Sequence, residues 1–212
     1  MGSMTSATRT SDQTIFAWFW ASSTASYLWN HVALSLMERE RDSNDDEGRH
    51  GQHPNSTLEN ARLLALLNLA IADAAIGCWE AKYTYVFWRP VTAIPLADTD
   101  GNPATTADPT WMPLFATPAH PEYPSGHSCV SGAAARVLAH YFGERTRLSV
   151  TSDVMPGVVR SFDSFSKALD EVQNARIFAG IHFRAATHDG QALGESVAGY
   201  VLENALQPLG RN

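Results

Sequence analysis

Hydrophobic positions recur at helical spacing along most of the chain. From Gln13 to Glu40, apolar and small residues return every three or four positions, a pattern that predicts one long or bent helix. A strongly apolar helix is predicted from about Leu58 to Tyr85, and Ser56 and Glu59 have the spacing of a capping box at its start. No segment of useful length alternates apolar and polar residues, so the sequence predicts no strand.

Two hydrophilic stretches interrupt this helical pattern. The charge-dense run 39–54 is predicted to be a mobile loop, because both of its flanks are helical. The segment from Pro90 to Pro124 contains eight prolines, a density that no long helix tolerates. An irregular segment of this length inside a domain usually lines a functional site.

Helical patterning resumes at Ser125. One helix is predicted to run to about Phe142, a second from Ser161 to about Gly180, and a third from about Asp189 to Leu206. The fold prediction is therefore an all-α helical bundle of five to six helices with a Pro-rich active-site loop. Residues 1–12 are interpreted as a tag or leader and residues 13–212 as a single helical-bundle domain.

Composition narrows the class of protein. The 212 residues are 44% hydrophobic and 17% charged, as in a globular domain, and a net charge of −7 disfavours nucleic acid and anionic membranes as partners. Polar residues and a glycine interrupt the longest apolar run, Leu63 to Trp79, so no membrane span is expected. Cys78 and Cys129 are predicted to be buried thiols. No signal peptide is visible, and the compartment is left open.

Three short segments carry candidate chemistry, and the first contains two cations. Lys82 and Arg89 lie seven positions apart, and the six residues between them are uncharged and mostly aromatic. Since an unpaired buried charge is costly, two cations in such a stretch require an anion.

The second segment, Tyr123–Ser128, predicts the start of a helix. Ser125 suits an N-cap, Gly126 lets a ligand approach the backbone, and His127 falls in the first turn. The free N–H groups of such a turn attract oxyanions. Neighbouring cations should lower the pKa of His127 and keep its imidazole neutral in the absence of an anion.

The third segment places Arg176 six residues before His182 in an apolar run, with a break expected near Gly180. Jointly, the three segments supply three cations, a helix N-terminus and two histidines. That set suits a tetrahedral or trigonal-bipyramidal oxyanion, with one histidine binding or attacking the central atom and the other acting as general acid/base.

The motifs Lys82-x6-Arg89-Pro90, Pro124-Ser125-Gly126-His127 and Arg176-x5-His182 resemble the three-part signature of the type-2 phosphatidic-acid phosphatase / vanadium-dependent haloperoxidase superfamily. The resemblance covers roughly Leu58 to Leu206. The residues around Arg89 and His182 are more similar to the soluble haloperoxidase branch than to the membrane lipid phosphatases.

This resemblance implies a helical bundle with a vanadate site that phosphate can also occupy. His182 would be the vanadium ligand, and His127 the acid/base group. Lys82 would both bind vanadate and assist catalysis. The residues implied to hydrogen-bond the vanadate oxygens are Lys82, Arg89, Ser125, Gly126 and Arg176.

The resemblance also implies a halide pocket, with His120 and Trp88 as candidates. His120 lies five residues before Ser125, where the family's bromoperoxidases tend to have histidine, so bromide or iodide is favoured over chloride. The implied substrates are hydrogen peroxide, a halide and a small organic compound.

The sequence departs from the family pattern at three points. Ala186 stands where an acidic residue often orients the ligand histidine, so Asp189, a backbone carbonyl or a distant residue must orient His182 if the site is intact. Ala175 stands where Ser is frequent. The chain is also shorter than family haloperoxidases, and its aromatic-rich first helix suggests a homodimer.

Two other functions stay open at this point. The same residues suit a soluble acid phosphatase, in which His182 attacks a phosphomonoester to form a phosphohistidine and His127 protonates the leaving oxygen. They also suit a non-catalytic helical module that binds oxyanions.

Overall fold

Helices dominate the computed structural model, which describes residues 1–21, 23–46 and 56–207. Six helices have eleven residues or more, and a seventh is a short turn in the Pro-rich segment. In chain order they are α1 (Ser11–Ala21), α2 (Ala25–Asp46), α3 (Thr57–Tyr85), the short α4 (Pro90–Ala93), α5 (Gly126–Phe142), α6 (Phe165–Phe178) and α7 (Arg184–Asn204). The predicted all-α bundle is confirmed.

Local sequence signals set several helix boundaries. The side chains of Ser56, Ser125 and Ser164 accept hydrogen bonds from backbone N–H groups in the first turns of α3, α5 and α6. Beyond the end of α6, Gly180 has a φ of 72°, a left-handed conformation that favours glycine, and the chain turns there towards His182. The predicted break near Gly180 is therefore confirmed.

Helices α3, α5 and α7 pack closely against one another and carry the site. The approach of α5 to α7 requires a residue without a side chain, since a Cβ on Gly194 would lie 2.0 Å from the carbonyl oxygen of Cys129. Cys78 and Cys129 are buried as free thiols, as predicted.

The N-terminal region differs from the prediction in two ways. Two helices, α1 and α2, replace the single helix expected from Gln13 to Glu40. Helix α2 also continues through Asp46, so the first part of the predicted loop 39–54 is helical. The rest of that loop, residues 47–54, lies outside the described residues.

A small β-hairpin was missed by the sequence analysis. Strands β1 (Leu148–Thr151) and β2 (Val159–Phe162) pair antiparallel, with Leu148 opposite Phe162. Four residues are too few to display a reliable alternation, and this is why the pattern was not recognised. Because Ser161 belongs to β2, the following helix begins at Phe165 rather than at Ser161. Helix α7 begins at Arg184, five residues before the predicted start.

The aromatic residues of the first two helices divide between the core and the surface. Phe19, Trp20 and Trp29 are fully buried, whereas Trp18 and Tyr27 are 43% and 38% exposed. Large apolar residues are also exposed along α3, where Leu69, Ile76 and Tyr83 are spaced at intervals of seven. A homodimer stays a prediction, and light scattering would test it.

The long apolar helix α3 belongs to the centre of the bundle. By length and composition alone, the segment Thr57–Ala93 would also suit a membrane-crossing helix. However, one face of α3 is buried against the rest of the bundle, and that face carries the charged residue Lys82. A helix that packs in a protein core can also be this long and apolar, so the segment is only weak evidence for a membrane span.

The first ten residues pack against the bundle. The N–H of Met4 donates to the carbonyl of Met112, and the guanidinium of Arg9 donates to the carbonyl of Phe178 at the end of α6. The interpretation of residues 1–12 as a tag or leader stays a prediction.

Candidate active site

Residues from all three predicted segments converge at one end of the bundle. The C-terminal half of α3, the Pro-rich loop, the first turn of α5, the end of α6 and the residues before α7 all contribute. The structure brings together the eight predicted site residues Lys82, Arg89, His120, Ser125, Gly126, His127, Arg176 and His182.

Arg89 links the Pro-rich loop to the segment around His182. Its Nη1 donates to the carbonyl of Ile181 at 2.7 Å and lies 3.1 Å from His182 Nε2. Its Nη2 lies 3.0 Å from His120 Nδ1, and Nη2 and Nε also donate to carbonyls of the Pro-rich loop. Burial lowers the pKa of Arg89 to about 10, and its guanidinium stays charged at neutral pH.

Lys82 is fully buried and is held by the same loop. Its ammonium donates to the carbonyls of Pro121 at 3.0 Å, Glu122 at 3.1 Å and Pro124. Burial lowers the pKa of Lys82 to about 8. These three carbonyls use all three N–H bonds of the ammonium, so Lys82 fixes the loop as well as adding positive charge to the site.

Arg176 is a buried cation with N–H donors that have no hydrogen-bond partner among the described residues. It is only 3% exposed, and its Nε and Nη1 make no hydrogen bond to any described residue. Burial and the charge of Arg89 lower the pKa of Arg176 to about 9, and no carboxylate opposes them. An unpaired buried guanidinium is costly, and a bound anion would remove that cost.

The imidazole of His182 is oriented by Glu122, which comes from the Pro-rich loop sixty residues earlier. Glu122 Oε1 lies 2.9 Å from His182 Nδ1 and accepts a second bond from the N–H of Phe183 at 2.8 Å. Burial and the nearby cations hold the pKa of His182 well below its usual range, so the ring is neutral. Nδ1 therefore carries the proton, and the lone pair of Nε2 is directed towards Arg89.

His127 lies in the first turn of α5, as predicted. Its Nε2 is buried and has no hydrogen-bond partner among the described residues. Burial, and next the charge of Arg176, hold the pKa of His127 well below its usual range. The neutral imidazole expected from the sequence is therefore the form favoured here, although burial contributes more than the cations.

The first turn of α5 adds backbone donors to the site. Ser125 is fully buried and caps the helix, while its own N–H donates to the carbonyl of Ala186. A Cβ on Gly126 would lie 3.0 Å from the ring of Trp79, so a larger residue would disturb this wall. The N–H groups that begin a helix have no partner within it and point towards an approaching anion.

The charges of the site do not balance. Lys82, Arg89 and Arg176 are opposed by a single buried carboxylate, that of Glu122. Burial raises the pKa of Glu122 to about 6, but this carboxyl is still ionised at neutral pH. The described residues contain no cluster of three or more His, Cys, Asp or Glu side chains that could hold a metal cation. This excess of buried positive charge suits an oxyanion rather than a cation.

Some predicted contacts differ in detail. Asp189, one of the residues considered for orienting His182, accepts a hydrogen bond from the Tyr123 hydroxyl instead. The ring beside His120 is that of Trp79, at a centroid distance of 5.2 Å. Trp88 is half-buried, and its place in a halide pocket stays a prediction.

Glu122 is the functional residue that sequence analysis missed. It directly precedes Tyr123–Ser128, but an acidic residue in a proline-rich loop is ordinarily exposed. Its burial depends on the fold of the loop, which the hydrogen bonds of Lys82 hold in position.

Comparison with known proteins agrees with this geometry. A family model described as the VCPO second helical-bundle domain matches residues 62–210. The chain is 29% identical over 180 residues to the vanadium chloroperoxidase of Curvularia inaequalis, an alignment covering 61% of this chain and 29% of that protein. It is 28% identical over 132 residues to the vanadium-dependent bromoperoxidase of Corallina officinalis, covering 55% and 21%.

Solved structures have the same fold. A bacterial vanadium-dependent iodoperoxidase superposes with a TM-score of 0.75 at 31% identity, covering 91% of this chain and 44% of that one. A bacterial vanadium-dependent chloroperoxidase superposes with a TM-score of 0.68 at 17% identity, covering 93% and 44%, and this likeness concerns the fold alone. The chain thus spans less than half the length of these proteins.

Proposed function

Since the chain belongs to the vanadium haloperoxidase superfamily, we propose that it holds vanadate at this site and oxidises a halide with hydrogen peroxide to a hypohalous species. One observation carries the proposal. The buried guanidinium of Arg176 has two unpaired nitrogens beside the equally unpaired Nε2 of His127 and the start of α5. The Arg176 nitrogens and the backbone N–H groups are donors that fit the oxygens of a tetrahedral oxyanion, and Nε2 of the neutral His127 could accept a proton there.

The residues that would hold vanadate have distinct roles. Arg176, Arg89 and the first turn of α5 would donate to its oxygens, and His182 would offer Nε2, whose lone pair Glu122 keeps available. Lys82 would add positive charge to the site while its ammonium stays hydrogen-bonded to the Pro-rich loop. When bound, vanadate supplies a Lewis-acid centre that activates peroxide for attack by halide. His127 would accept and return a proton during this reaction, since its ring is neutral and its Nε2 has no partner among the described residues.

Bromide or iodide is the proposed halide, as the sequence predicts from His120. That residue is hydrogen-bonded to Arg89 and packs near Trp79, at the edge of the site. Because the matched proteins include an iodoperoxidase, bromoperoxidases and chloroperoxidases, this preference rests on His120. A small organic compound would then be halogenated.

An acid phosphatase is the second candidate function, because the observed donors suit phosphate as well as vanadate. In that reaction His182 Nε2 would attack phosphorus, and His127 would protonate the leaving oxygen. The ring of His182 is neutral, so Nε2 has a lone pair for this attack, which it would offer to phosphorus in place of its present contact with Arg89.

The deciding experiment measures both activities on the purified protein. Bromination of a dye and oxidation of iodide are followed with peroxide, with and without orthovanadate, alongside hydrolysis of p-nitrophenyl phosphate. We expect halide oxidation that depends on vanadate and is blocked by phosphate. Hydrolysis inhibited by vanadate, without halide oxidation, would move the assignment to phosphatase. No activity in either assay would favour the non-catalytic helical module that binds oxyanions.

Replacing Glu122 by Gln should reduce the preference of the site for vanadate over phosphate by about 10-fold at pH 7.5. The amide oxygen can keep both hydrogen bonds, but the lost charge makes His182 a weaker ligand for vanadium. Phosphate needs no such bond, so its affinity is a control for the change in overall charge. Calorimetric titration of both anions measures the ratio, with Glu80→Gln, an exposed change on α3, as the matched control.

The difference in vanadate preference between the wild type and the Glu122→Gln variant should depend on pH. Because the pKa of Glu122 is about 6, the wild-type carboxyl becomes neutral below that pH and comes to resemble Gln. The 10-fold difference between the two proteins should therefore disappear as the pH falls to 5. A difference that persists unchanged at pH 5 would contradict the assigned role of the Glu122 charge.

A further inference from the structure

A separate cavity is lined by Glu122 and by none of the cations or histidines of the oxyanion site. It has a volume of about 560 Å³ and lies between the end of α3, the loop before α5 and the start of α7. Its walls are the rings of Tyr85, Phe87, Tyr123 and Phe183. We call it the aromatic pocket.

The walls are two pairs of perpendicular rings. Tyr85 and Tyr123 meet edge to face at 5.5 Å between centroids, and Phe87 and Phe183 do so at 6.2 Å. Tyr85 is 64% exposed and Phe87 is 47% exposed, although both are large and apolar in character. A small flat ring entering the pocket would cover this surface and add contacts of the same kind.

Glu122 is the buried polar group that lines the pocket. Its side chain is 1% exposed, and Oε1 already accepts the bonds from His182 and Phe183. Among the described residues, none donates a hydrogen bond to its other oxygen, Oε2. A carboxylate oxygen without a donor among these residues can accept a hydrogen bond from a ligand in the pocket.

The surrounding charges select the type of donor. An anionic ligand would be repelled by Glu122, and no basic residue lines the pocket to compensate. A cationic ligand bound to Glu122 would be repelled by Lys82 and Arg89, whose positive charges act on the same carboxylate. A neutral molecule with a single strong donor avoids both penalties.

A small side chain at the start of α7 leaves room for this ligand. Ala186 lines the pocket. A longer side chain at that position would fill part of the cavity. Because Glu122 supplies the bond to His182 from the Pro-rich loop, the space beside Ala186 stays open.

We propose that the aromatic pocket binds a neutral single-ring phenol, whose hydroxyl donates to Glu122 Oε2 and whose ring packs among the four aromatic side chains. This binding does not depend on the proposed halide chemistry, and it is measured without peroxide, halide or vanadate.

The test compares four probes of similar size by calorimetry and ligand-detected NMR at neutral pH: phenol, anisole, benzoate and phenyltrimethylammonium. We expect phenol to bind in the millimolar range and at least 10-fold more tightly than the other three. Equal binding of anisole would remove the role of Oε2, and tightest binding of the ammonium ion would make the pocket a cation site. Either result overturns the proposal, as does the absence of phenol binding.

Two variants assign the binding to the aromatic pocket. Phe87→Ala removes one wall, and Ala185→Trp fills the cavity from an exposed position on α7. Each should weaken phenol binding at least 10-fold, whereas Tyr200→Ala, an exposed aromatic change elsewhere on α7, should not. The thermal shift produced by phosphate should be unchanged in all three, which separates this pocket from the oxyanion site. Unaltered phenol binding in both pocket variants would overturn the proposal.

Discussion

His182→Ala is expected to lower vanadate-dependent halide oxidation on the order of 1,000-fold or more, because the protein loses the nitrogen that faces the central atom of the oxyanion. The same change would remove the nucleophile of a phosphatase. Phosphate should still stabilise the variant, since Arg176 and the first turn of α5 keep their unpaired donors. Vanadate should then stabilise it no more than phosphate does.

Thermal unfolding with each anion separates this result from misfolding. A folded variant that keeps its phosphate-induced shift and loses the additional vanadate effect supports the assigned ligand. His188→Ala is the matched control, since that histidine lies on α7 with an exposed side chain. Full activity of His182→Ala would contradict both enzymatic proposals. Added imidazole should restore part of the activity, because the shortened side chain leaves space beside Glu122.

Arg176→Met is expected to raise stability and weaken oxyanion binding together. The wild-type guanidinium is buried, and two of its nitrogens lack partners, so an apolar side chain of similar length removes a cost of about 1–3 kcal/mol. For a domain of this size, that corresponds to a rise in Tm of roughly 2–12 °C without added anion. Loss of two charge-assisted hydrogen bonds should weaken phosphate and vanadate binding about 100-fold.

Arg160→Met is the matched control with the opposite expected sign. Arg160 pairs with Glu171 and Asp12, and its removal breaks those ion pairs, so the free energy of unfolding should fall. Differential scanning calorimetry of the two variants, with and without phosphate, measures both effects. If Arg176→Met lowered Tm as Arg160→Met does, the guanidinium would be a structural element rather than an anion-binding group.

The sequence predicted the features of this protein that depend on local interactions. Helical periodicity gave α3, α5 and the bundle class, and the serines at 56 and 125 gave two helix starts, because a cap and the amide it binds lie within three residues. The motifs that contain Lys82, Arg89, Ser125, Arg176 and His182 predicted an oxyanion site, and their resemblance to a known signature indicated the family.

Tertiary structure alone decided how these groups are paired. Glu122 meets His182 across sixty residues, and no local pattern records that contact. The loop carbonyls occupy the donors of Lys82 and leave those of Arg176 free, a division that depends on where the Pro-rich loop lies. Likewise, the aromatic residues of α1 and α2 could have faced a partner or their own core. Local sequence determines most of the helices and the chemistry of their side chains. The burial and pairing of those side chains arise from packing between distant segments. That packing determines which charged groups stay free to bind a ligand.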